Sequence, residues 1–177
     1  MQLDDKIDIK EIATKHSFDY LVLPQVQSGR DIQELRILLN ETLPKVQILA
    51  KIDTLDAVQN FSGIIKQADG IVVLRNELAM ELDPEKLMLA QKWMIQTANT
   101  SAIPIYLQSQ VLEGIVRADS KAIRLETQEI STSVIEGVDG FILSHETSIC
   151  KQSTEATVLL AKSIVEAENV YDHEQAY

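Results

Sequence analysis

Two short apolar runs, Val46 to Ala50 and Gly70 to Leu74, each end in charge: Lys51 and Asp53 follow the first, Arg75 and Glu77 the second. No other feature constrains the fold of this chain so tightly. A helix beginning near Asp56 fits between them. Strand, charged loop, helix, strand, charged loop is the βαβ pattern, and ligand-binding groups in such folds collect at the carboxyl ends of parallel strands. A lysine and two acids delivered to one rim suit an oxyanion and a metal ion.

The rest of the chain repeats the alternation. Residues 4 to 16 read as a helix capped by Asp4 or Asp5, with Ile7, Ile9 and Ile12 as its apolar positions. A strand is predicted from Tyr20 to Leu23 and an amphipathic helix from Asp31 to Leu39, with Pro44 in the turn beyond. Asp83-Pro84 opens the clearest helix, an acidic cap followed by proline in the first turn, running to about Ala98. A fourth strand is expected from Ile103 to Leu107. Residues 114 to 136 read as a loop and then a helix ending near Gly137. A fifth strand from Gly140 to Leu143 and a helix from Thr154 to Glu168 complete one domain, residues 1–168, followed by an acidic, frayed tail, residues 169–177. The fold class is α/β: parallel strands covered by helices, five in number, where a closed barrel of this type takes eight.

Composition narrows the partners. Sixteen basic against twenty-seven acidic residues give a net charge of −11, which repels phosphate backbones and anionic membranes. Neither nucleic acid nor membrane is expected as a partner. Met1 is followed by QLDDK with no apolar core, so no secretory leader is expected, and no apolar run approaches a membrane span. Cys150 is the single cysteine, which rules out an intrachain disulfide and suits a reducing, cytoplasmic setting.

Four ordered motifs carry a resemblance. Lys51-Ile-Asp53 and Ala68-Asp-Gly-Ile-Val-Val-Leu-Arg-Asn-Glu-Leu78 resemble the Lys-Ile-Glu and Asp-Gly-Ile-Met-Val-Ala-Arg-Gly-Asp-Leu signatures of pyruvate kinase. Pro104-Ile-Tyr-Leu-Gln-Ser-Gln110 is similar to Pro-Val-Ile-x-Ala-Thr-Gln, and Gly137-Val-Asp-Gly-Phe-Ile-Leu-Ser-His-Glu-Thr147 to Gly-x-Asp-Ala-Val-Met-Leu-Ser-Gly-Glu-Thr. The resemblance implies a pyruvate kinase-like partial (β/α) barrel, strands four to eight. The family's first three strands, nucleotide-covering insert and regulatory domain have no counterpart in it.

The resemblance also assigns residues. Lys51 matches the lysine that steadies the phosphoryl group in flight, where spreading charge needs a fixed cation. Asp53 and Glu77 match the glutamate and aspartate that hold the divalent metal, with their lengths exchanged. Arg75, Asn76 and Glu77 match the substrate-binding turn, but Asn76 and Ala79 replace glycines whose backbone amides approach the substrate's carboxylate. Ser109 keeps the hydroxyl of a family threonine, and Gln108 adds bulk where the family has alanine. Ser144 and Glu146 match, while His145 replaces a glycine and reads as a loop histidine with no ligand role.

These departures lead to an expected function: a truncated, degenerate pyruvate kinase-like protein, catalytically silent by itself, with a structural or interaction role in a larger assembly. Magnesium binding is expected to be weak and not required. Two rivals keep chemistry. One is a pyruvate kinase piece active only when another chain completes the barrel; the other is a magnesium-dependent oxoacid lyase using Lys51, Asp53 and Glu77. A protein partner or a homo-oligomer is expected. Along the helix from Pro84, at roughly 100° per residue, Leu87, Ala90, Gln91, Met94 and Ala98 fall on one side and should face the sheet. Leu89 and Trp93 fall opposite, beside Lys92 and Gln96, where an aromatic with a leucine one turn away makes an interface anchor.

Overall fold

The computed structural model describes residues 15–16, 18–108, 112–116 and 120–175. Five parallel strands form one sheet in sequential order: β1 (Tyr20–Leu23), β2 (Gln47–Ile52), β3 (Gly70–Leu74), β4 (Ile105–Gln108) and β5 (Gly140–Ile142). The α/β class and the partial-barrel strand order follow the sequence reading. The chain divides into two compact units, one up to Ile105 and one from Tyr106.

In the first unit, register fixes two faces. Leu21 and Leu23 lie level with Ile48 and Ala50, and Ala50 and Ile52 lie level with Ile71 and Val73. Ile48, Ala50, Ile52, Ile71 and Val73 are all fully buried, as are Ile32, Leu35, Phe61, Ile64, Met94 and Ala98 from the helices. The alternate residues Tyr20 and Val22 lie level with Gln47 and Leu49, and both are exposed.

Helix α1 (Gly29–Leu39) starts two residues earlier than its apolar pattern suggests. The Asp31 carboxylate accepts from the backbone N–H groups of Ser28 (2.8 Å) and Gln27 (3.1 Å), satisfying donors that a helix start leaves orphaned. Gly29 is required by close approach: a Cβ there would stand 2.6 Å from the Gly63 carbonyl oxygen. The helix expected near Asp56 is two short ones, α2 (Leu55–Gln59) and α3 (Phe61–Ile64). They break at Asn60, whose side-chain amide donates to the Gln27 carbonyl at 3.0 Å.

Two differences bear on the site. Strand β2 runs to Ile52, so Lys51 lies within it rather than in the loop after it. The segment after β3 is no loop either: α4 (Arg75–Glu81) begins at Arg75 and is anchored by buried Leu78. Helix α5 (Pro84–Thr100) follows, burying Gln91, Met94, Ile95 and Ala98, with Leu87 and Ala90 half-buried at the flanks. Leu89, Lys92, Trp93 and Gln96 lie on its outer side, as the helical spacing predicts. Strand β4 starts at Ile105, two residues late, because Ala102 takes a left-handed φ of 54° and Pro104 has no N–H to enter a ladder.

The second unit packs α7 (Ser120–Ile135) and α9 (Ser153–Gln175) around Leu112, Ile115, Ile130, Ala156 and Leu160, with Phe141 and Leu143 against them. Short helices α6 (Glu113–Val116) and α8 (His145–Ile149) flank this core. Gly137 carries a φ of 95° just past α7, the left-handed stop its position predicts. Helix α9 continues to Gln175, past the expected end at Glu168, so the residues read as a frayed tail are helical that far. The helix expected over residues 4–16 lies almost wholly outside the described residues.

Candidate functional site

Parallel register brings the charged residues to one rim. Ile52 lies level with Val73, so Asp53, the first residue past β2, comes level with Leu74, and Arg75 stands directly beyond. β1 ends on the same rim, since Leu23 is level with Ala50. Lys51, Asp53, Arg75, Asn76 and Glu77 are therefore gathered at the carboxyl ends of two adjacent strands. Ser109 lies outside the described residues.

The rim is tied together through backbone amides. Gln25, held at a left-handed φ of 52°, donates its N–H to Asp53 Oδ2 at 3.0 Å. The second oxygen, Asp53 Oδ1, is buried and has no hydrogen-bond partner. Thr54 caps α2 by accepting the Ala57 N–H at 3.2 Å, and the Leu55 N–H donates to Glu81 Oε2 at 2.5 Å, fastening the loop after β2 to the end of α4. Sequence reasoning missed Gln25 and Glu81. Both act through partners 26 or more residues away, which no local pattern signals.

Burial separates the side chains. Lys51, Asp53 and Arg75 are half-buried, whereas Asn76, Glu77 and Ala79 are exposed on α4. Burial pulls the Arg75 guanidinium below its ordinary value, and an arginine starts so high that it stays charged. Among the described residues, no three His, Cys, Asp or Glu side chains stand together as a metal cage.

The second unit carries the Ser144-His-Glu146 segment. Ser144 caps α8: its Oγ accepts the Thr147 N–H at 3.2 Å and lies 3.0 Å from the buried Thr147 Oγ1. Its hydroxyl is thus spent on structure. His145 and Glu146 are exposed. Glu146's own backbone N–H holds its carboxyl below the usual range, assisted by the Ser144 hydroxyl and, more weakly, by His145, against a small opposing effect of desolvation.

The sequence model of the pyruvate kinase barrel domain matches residues 2–157. The chain belongs to the pyruvate kinase family. A pyruvate kinase of Eimeria tenella is 31% identical over 173 residues, 98% of this chain and 32% of that protein. A cytosolic isozyme of Nicotiana tabacum is also 31% identical over 173 residues, covering 34% of its length. Among solved structures, Cryptosporidium parvum pyruvate kinase in complex with ADP superposes with a TM-score of 0.86 at 32% identity, over 94% of this chain and 35% of that one. The chain thus spans about a third of the length of the curated relatives it matches. No helix among the described residues is long and apolar enough to cross a membrane.

Magnesium, which pyruvate kinases generally use, fits this rim in part. Asp53 Oδ1 is buried without a hydrogen-bond partner, and Glu77 is exposed in the first turn of α4. Magnesium is commonly held by one or two carboxylates, with water and substrate oxygens completing its octahedron. Asp53 and Glu77 match that economy and do not make a self-sufficient cage. Gln25 fixes the Asp53 carboxylate in place.

Proposed function

We propose that this chain is a catalytically silent member of the pyruvate kinase family, acting in the cytoplasm as an interaction component of a larger protein assembly. The observation that carries it is the turn after β3. Arg75 continues directly into α4, and Asn76 and Ala79 place exposed side chains where the resembling motif has glycine. A backbone amide covered by a side chain cannot approach a carboxylate closely, so the substrate loses the contact that would orient it. Orientation supplies much of the rate of phosphoryl transfer. Glu77, on the same exposed stretch, is one carbon longer than the aspartate it replaces.

The purified chain should show no turnover with phosphoenolpyruvate, ADP, magnesium and potassium. Measurable pyruvate formation that disappears in Lys51→Met overturns the reading. A second reading is favoured by Asp53 Oδ1, since a buried carboxylate oxygen without a partner is costly unless it has a ligand. In that reading the chain is part of a pyruvate kinase, and the rim works once another chain completes the barrel. Turnover appearing only on mixing with that chain, and lost in Asp53→Asn, supports it.

A further inference from the structure

We draw no further inference here: the strongest candidate, the exposed apolar face of α5 carrying Met88, Leu89 and Trp93, is an unpartnered surface patch, and nothing in the structure shows what covers it.

Discussion

Asp69 offers the sharpest test of how the strand ends are held. It lies in the loop before β3, on the rim opposite the candidate site, and its Oδ2 accepts two bonds at 2.8 Å, from the Ile48 N–H and from Arg36 Nη2. Its own N–H donates to the Ile48 carbonyl at 3.0 Å, so one residue stitches β2 to β3 from both sides. In Asp69→Ala the Ile48 N–H, on a fully buried residue, loses its acceptor. That costs about 1–3 kcal/mol. The ion pair adds about 0.2–1 kcal/mol, since its side chains are 46% and 34% exposed and solvent screens them. The total is about 1–4 kcal/mol, or about 2–16 °C in Tm for a chain of this size. Urea unfolding followed by fluorescence of Trp93, the single tryptophan, reads it directly. Asp69→Asn keeps an acceptor and should cost less, and Arg36→Ala less again. If Arg36→Ala costs as much as Asp69→Ala, the charge pair and not the backbone bond does the stitching, and the argument fails.

Magnesium should bind at about millimolar affinity, as an imperfect carboxylate pair does. Calorimetry giving micromolar affinity that vanishes in Glu77→Gln would contradict this and favour the lyase rival. On α5, Leu89 is 68% exposed and Trp93 42%, and the Trp93 ring lies 5.4 Å from that of buried Phe61 at 57°. Leu89→Glu should leave stability within about 0.5 kcal/mol while weakening any association at this face; Trp93→Glu should also destabilise the chain, since a buried-edge aromatic pair contributes about 0.5–1.5 kcal/mol. Equal loss of stability in both would assign the whole patch to intramolecular packing. Glu146 titrates lower folded than unfolded, so its contribution to stability is present above the unfolded value and fades as pH falls through the folded one. Glu146→Gln should flatten the acid limb of the stability–pH profile, an effect kept small by full exposure of the carboxylate.

The order of strands was legible because each strand here is a short apolar run, but α2 and α3 read as one helix and α4 as a charged loop. Pro84, Gly137 and the Gly70–Leu74 run behave as their chemistry dictates, whereas the Asp83 side chain makes no capping bond to the helix and accepts from Lys86 Nζ instead. Boundaries slipped where a local cap or a tertiary partner decides them. Ser28 begins α1 because Asp31 reaches back to it, and Asn60 breaks a helix because its amide is drawn to Gln27. Lys51 looked like a loop residue because charge usually ends a strand. It stays in β2, level with Val72, because the register with β3 continues past it.

The candidate site was half legible for a related reason. Strand order and register alone bring Lys51, Asp53 and Arg75 to one rim; the order is what the family resemblance implies, and the register is set by the fold. What those groups can do depends on Gln25 and Glu81, whose contacts are closed by the fold. A carboxylate with one oxygen tied to a backbone N–H and the other buried without a partner is a different chemical object from a solvated aspartate. It has lost the freedom to turn away and keeps one lone-pair direction committed inward. Exposed Glu77 carries no such constraint. The two acids that the motifs pair as equals are therefore unequal: Asp53 is held in place before any ligand arrives, and Glu77 must be ordered by the ligand. That ordering costs side-chain entropy on binding, which is the physical reason to expect the Asp53→Asn and Glu77→Gln substitutions to differ in their effect on metal affinity.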